Sequence, residues 1–298
     1  MKVSVTELVD VVNQQFQQSL FKNLFCTVEN QIHFNINTIK ALQLLNEQKS
    51  DEFTNEDVDV LLQNIINRFI LTFYRTDPYI NFNAEDKLII RQIYLLMLRD
   101  VSIFQIEEVE KRHYERICWF IRKTNPGIYQ INCNSDRYAK HFTSAEYSPA
   151  FQMELLGIDR QHLKEPILDI GCGEHGYLVK YLREQGLEAF GIDRLQIDKD
   201  YFFNGNWLEF EYGNHRWGTI ISNLSFSSHF LHHFSQKDGL DISYAKVYMK
   251  ILKSLVTGGT WIYAPSVTYI ENLLPENKYL VSQSLIDTDY YKTVIRKL

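Results

Sequence analysis

Residues 166 to 194, PILDIGCGEHGYLVKYLREQGLEAFGIDR, constrain the chain more than any other stretch. Ile167 to Ile170 is a short apolar run of the kind that forms a buried parallel strand. Gly171, Gly173 and Gly176 follow at once, where the chain must turn sharply and let backbone approach a ligand. The spacing of Leu178, Tyr181 and Leu182 predicts a helix over Tyr177 to Gln185, ended by Gly186. Leu187 to Ile192 is the next strand, and it finishes on Asp193. The whole is a βαβ unit with a glycine-rich first turn and an acid at the tip of its second strand. That arrangement suits a nucleoside lying over the turn, with a carboxylate accepting hydrogen bonds from ribose hydroxyls. Asp169 stands two positions before the first glycine. A carboxylate there would repel a pyrophosphate, so a cationic or zwitterionic ligand fits better.

The run Leu168-Asp169-Ile170-Gly171-Cys172-Gly173 resembles the first motif of the class I S-adenosylmethionine (SAM)-dependent methyltransferases, and Asp193 matches that family's ribose-binding acid. The resemblance spans roughly residues 138 to 298. The competing readings are a Rossmann-like turn for NAD and a degenerate fold that binds nothing. The resemblance implies SAM as cofactor, held by Asp169, Gly171, Gly173, Asp193 and Arg194. It also implies that the position after the third strand, Tyr201 to Asn204, meets adenine. Asn206 suits the adenine amino group. Trp207 suits the ring, with plain core packing as its alternative.

Trp217 to Ser222 is a fourth strand, and Asn223-Leu224-Ser225-Phe226 follows at its carboxyl end, the edge where open α/β sheets bind ligands. Asn223 is assigned to the cofactor and Ser225 to the acceptor. A helix from Ile242 to Leu255, a break at Thr257-Gly258-Gly259 and a fifth strand from Thr260 to Ala264 continue the likeness. Lys278 to Ile286 and Tyr290 to Arg296 read as a closing antiparallel hairpin. The expected fold is therefore α/β, a seven-stranded, mostly parallel Rossmann-like sheet whose order the resemblance gives as 3-2-1-4-5-7-6.

Residues 1 to 125 contain no glycine and read as a helical cap or dimerisation domain. Thr6 to Phe25 carries one apolar stripe, and Thr38 to Glu47 is a shorter helix. Thr54 with Asp57 opens a third helix through a capping box. Asp77-Pro78 stops it. Asn83 caps Ala84 to Arg99, and Ser102 to Lys123 ends at Asn125-Pro126-Gly127. Residues 126 to 150 form an aromatic linker that in the resembled family folds over the ligand. Tyr138 and Tyr147 are candidates to stack on a sulfonium or, alternatively, to pack the domain junction. Residues 151 to 298 complete the SAM-binding domain.

Three histidines follow the fourth strand. His229 and His233 share a face if that segment is helical, and are the candidate catalytic bases. Histidines satisfied within a loop are the alternative. No third ligand with metal spacing follows, so no metal is expected. The region lacks the Asn/Asp-Pro-Pro-Tyr tetrapeptide of methylases acting on amino groups of nucleic acids. With a net charge of −6, this points to a small-molecule acceptor rather than nucleic acid. The four scattered cysteines read as reduced thiols, and no segment has the length of a membrane span or the make-up of a signal. The reading is a cytoplasmic SAM-dependent methyltransferase, with specialised metabolism as its setting. Two alternatives stay open. One is a same-fold enzyme consuming SAM itself, by aminocarboxypropyl transfer or closure of an azetidine ring. The other is a non-catalytic SAM-binding protein.

Overall fold

The computed structural model describes residues 4–19, 33–47, 54–77, 79–125, 148–195, 199–287 and 290–298. The chain divides into two units, Met1–Phe142 and Thr143–Leu298. Tyr138 and Tyr147 lie outside the described residues, as does most of the expected linker.

The first unit holds helices α1 (Val5–Ser19), α2 (Ile36–Glu47), α3 (Asn55–Thr76), α4 (Ala84–Val101) and α5 (Ile106–Thr124). Residues 20 to 25, expected to continue the first helix, lie outside the described residues. Two capping boxes set helix starts. Thr54 Oγ1 accepts from the Asp57 N–H at 3.1 Å while Asp57 accepts from the Thr54 N–H at 3.0 Å, and Asn83 with Asp86 repeats the exchange. Phe69, Phe73, Phe82 and Phe120 fill the core, with Phe82 stacked on Phe120 at 5.5 Å. His113 is buried among the rings of Phe34, Tyr94 and Tyr114. Burial pushes its pKa down to about 3, so it is an uncharged core member.

In the second unit, α6 (Pro149–Leu156) leads into β1 (Ile167–Ile170), α7 (Tyr177–Glu184), β2 (Ala189–Asp193), β3 (Phe202–Asn204) and β4 (Trp217–Asn223). Helices α8 (Phe226–Gln236) and α9 (Leu240–Ser254) precede β5 (Leu255–Ala264), the short α10 (Thr268–Glu271), β6 (Tyr279–Asp287) and β7 (Tyr290–Lys297). One seven-stranded sheet runs in the order β3-β2-β1-β4-β5-β7-β6, parallel up to β5 and antiparallel in its last two pairings. All four residues of β1 are buried, as a central strand covered on both faces requires. Leu168, Ile170 and Ile220 face a core built with α8 and α9, while Ile167 and Ile221 face one built with α6 and α7.

The helix expected to reach Leu255 ends at Ser254, and the fifth strand begins at once. Thr257-Gly258-Gly259 lies inside that strand as an irregularity: Trp217 pairs with Leu255 and Thr219 already with Thr260. Gly259 belongs there because a Cβ would stand 2.9 Å from the Gly218 carbonyl oxygen. Among the described residues no helix is long and apolar enough to cross a membrane.

Candidate functional site

The carboxyl ends of β1, β2 and β4 bring together most of the residues singled out from sequence. Gly171 leaves β1 with φ +78°, a left-handed conformation that an L side chain rarely adopts. Its N–H donates to the Ile192 carbonyl at 2.8 Å, locking the bend to β2. A Cβ at Gly171 would stand 2.4 Å from Ser225 Cβ and 2.9 Å from Trp207 Cζ3. The bend therefore rests directly on the start of α8 and on the indole that follows β3.

Asp193, at the tip of β2, is buried and accepts from the Gly173 N–H at 3.0 Å and from the Leu195 N–H at 2.9 Å. Burial raises its pKa, opposed by those two N–H groups and by the adjoining charge of Arg194, which is itself half-buried. Asp169 is 2% exposed, and its Oδ2 has no hydrogen-bond partner among the described residues. Burial, with the negative charge of Asp193 as second cause, pushes its pKa up to about 7. The glycine bend thus carries two dehydrated carboxylates, an arrangement that a cation would relieve.

Asn223, the last residue of β4, has both Oδ1 and Nδ2 buried without a partner among the described residues, and so does Ser227 Oγ. Buried polar groups are nearly always paired, so this cluster marks a place for a polar ligand. Ser225 is differently engaged. Its hydroxyl donates to the Ile170 carbonyl at 2.6 Å and lies 2.9 Å from Ser222 Oγ, so it holds the end of β1. Asn206 is half-buried and accepts from the Leu208 N–H at 3.0 Å. Trp207 is 6% exposed, part of the sheet core and directly under the bend.

The segment after β4 is helical, and His229 and His233 share its buried face. Tyr244, from α9, joins them: its ring stacks on His233 at 5.3 Å and its hydroxyl lies 3.4 Å from His229 Nδ1. The same hydroxyl accepts from Trp207 Nε1–H at 3.3 Å. Burial, then the positive charge of Arg194, holds His229 well below the usual imidazole range, so it is neutral. His233 Nδ1 lies 2.7 Å from Asp238 Oδ2, and its Nε2 is buried without a partner among the described residues. His232 is half-buried, and burial together with the charge of His233 lowers its pKa to about 4. Tyr244 and Asp238 are the residues that sequence reasoning missed. Tyr244 reads as one more apolar position of a helix stripe, and Asp238 as the turn residue it also is, accepting from the Leu240 N–H.

No family model matches the chain, and no curated protein does. Solved structures similar to it include a SAM-dependent methyltransferase from Mesorhizobium loti, 12% identical with a TM-score of 0.37 over 52% of this chain and 100% of that one. A SAM-dependent methyltransferase from Methanosarcina mazei is 13% identical, with a TM-score of 0.34 over 46% and 95%. An rRNA methylase from Streptococcus thermophilus is 15% identical, with a TM-score of 0.33 over 51% and 98%. Likeness at that level says nothing of chemistry. The fold rests on the strand order, with β7 inserted antiparallel between β5 and β6.

This is the class I methyltransferase fold. In a sheet of the methyltransferase fold the order reverses beside β1, between β1 and β4, and ligands bind in the crevice outside the carboxyl ends there. Asp169 is next to last in β1 and Asn223 is the last residue of β4.

Proposed function

We propose that the chain is a SAM-dependent methyltransferase acting on a small-molecule acceptor in the cytoplasm, with specialised metabolism as the setting. The observation that supports this most is the set of dehydrated polar atoms around a glycine bend: Asp169 Oδ2 together with both polar atoms of Asn223, all without partners among the described residues. SAM fits that donor set, because it brings a sulfonium cation, an ammonium group and hydroxyls to a place with two buried carboxylates and an unpaired amide. When bound it supplies an electrophilic methyl group.

Asp193 and Arg194 would hold the ribose side, Asn206 and Trp207 the adenine side, and Asp169, Gly171, Gly173 and Asn223 the amino-acid end. The chain's own contribution is largely alignment and exclusion of water, the main lever in a direct displacement. Of the two candidate bases, His233 has the better arrangement. With Nδ1–H donated to Asp238, its Nε2 is left as the proton acceptor. Neutral His229 lines the wall beside Trp207, ring centroids 4.8 Å apart. Tyr138 and Tyr147 are proposed to complete the acceptor side. The negative net charge and the missing tetrapeptide favour a small acceptor over nucleic acid.

Incubation with SAM, followed by mass spectrometry against a panel of amine, thiol and phenol acceptors, tests the reading. Release of S-adenosylhomocysteine with a methylated acceptor supports it. Methylthioadenosine would identify SAM itself as the substrate, and tight binding without turnover would identify a binding protein. No binding at all would remove SAM from the account.

A further inference from the structure

We propose that β6 is the seam of a homodimer, joining two copies of the sheet edge to edge about a two-fold axis at Gln283. This stands independently of the reaction.

β6 is the outer strand on its side of the sheet, paired with β7 alone. The alternation of its backbone groups follows from two bonds. Tyr279 faces Lys297 and Leu280 faces Arg296, so Lys278 faces Leu298, and the Leu298 N–H donates to the Lys278 carbonyl at 2.9 Å. Antiparallel ladders alternate between bonded and non-bonded pairs. Leu280, Ser282 and Ser284 therefore turn their N–H and C=O groups to β7, while Val281, Gln283 and Leu285 turn theirs outward. Tyr279 agrees, since its N–H leaves the ladder for the Pro275 carbonyl at 3.1 Å. Among the described residues no backbone group bonds to the outward groups of Val281, Gln283 or Leu285.

Natural sheets blunt such edges with lysines, prolines, inward charges or bulges. From Tyr279 to Ile286 there is no charged residue and no proline. The one irregularity falls between Leu285 and Asp287, beyond the three outward positions. Leu280 and Leu285 are 58% and 56% exposed, on opposite faces of the strand.

A second copy of the same strand fits this edge. With Gln283 opposite its own counterpart, the outward N–H groups of Val281, Gln283 and Leu285 on each copy meet the outward carbonyls of Leu285, Gln283 and Val281 on the other. Val281 then stands beside Leu285 on one face, so the exposed Leu285 gains an apolar neighbour.

Sedimentation equilibrium of the full chain, combined with amide hydrogen exchange, tests this. The wild type should dimerise, with the Val281, Gln283 and Leu285 amides protected in proportion to the dimer. Leu280→Lys and Leu285→Lys change exposed side chains, so the monomer should melt as the wild type does. The pair together should weaken association by roughly tenfold or more and leave those amides exchanging fast. A wild type that stays monomeric overturns the proposal. So does a dimer in which the Gln283 amide exchanges freely, or one that both substitutions leave intact.

Discussion

Asp169, next to last in β1, and Asp193, last in the adjacent parallel β2, are both buried, and the charge of Asp193 helps to keep the Asp169 proton in place up to about pH 7. Below that value Asp169 of the free protein is a carboxylic acid. A cation seated there should expel the proton. Binding of SAM at pH 6 is therefore expected to release close to one proton, and at pH 8.5 close to none. Calorimetry in buffers of different ionisation enthalpy checks this. Equal proton release at both values would show that Asp169 does not face the ligand.

The same group makes stability depend on pH. Its carboxyl titrates near 3.9 in an unfolded chain and at about 7 here, so the folded state binds the extra proton between those values. Its contribution to stability is complete below roughly pH 4 and is lost as pH rises toward 7. Asp169→Asn should remove this slope from urea titrations, leave the free protein more stable at pH 8 than the wild type, and weaken SAM binding by roughly tenfold or more.

Asp193→Ala deletes the acceptor of the Gly173 and Leu195 N–H groups as well as the proposed ribose contact. SAM affinity should fall by more than about tenfold, the loss of one or two charge-assisted hydrogen bonds. Unchanged affinity in titration calorimetry would take Asp193 out of the ribose role.

Asp238→Asn keeps the volume beside His233 but takes away the negative charge that orients the ring. If His233 is the base, kcat should fall roughly 10–100-fold, with the SAM dissociation constant unaltered. A lowered melting temperature with an unchanged kcat would mark the pair as a clip between α8 and α9.

Glu271 gathers a separate, purely architectural network. Its carboxylate accepts from Tyr263 Oη–H at 2.5 Å, the Val267 N–H at 2.5 Å, Thr293 Oγ1 at 3.0 Å and the Gln283 amide. Glu271→Ala should cost about 3 kcal/mol or more in denaturant titrations, because three buried donors and the Gln283 amide lose their acceptor at once. Catalysis by the fraction that still folds should be unaffected.

The βαβ unit, the bend and the seven strands could be read from residue order because each rests on local pattern: an apolar run, closely spaced glycines, an acid on a strand tip. Helix α8 was legible only conditionally. Its sequence, FSSHFLHHFSQ, is rich in serine and histidine, which are indifferent helix formers, and it is the packing of Phe226, Phe230, His229 and His233 against α9 that decides the matter. The Gly258-Gly259 irregularity was hidden because two glycines read as a break, whereas pairing with β4 carries the strand through them. The use of Ser225 to hold Ile170, and of Tyr244 to link Trp207 with His229, depends on contacts across 55, 37 and 15 positions of chain, which no local pattern records.

The contact of Gly171 with Ser225 and Trp207 has an evolutionary corollary. Two crossovers, one after β3 and one after β4, converge on a spot with no room for a single methyl group. A side chain larger than hydrogen at position 171 would thus drive the starts of both crossovers away from β1, so a descendant that keeps this packing keeps glycine there.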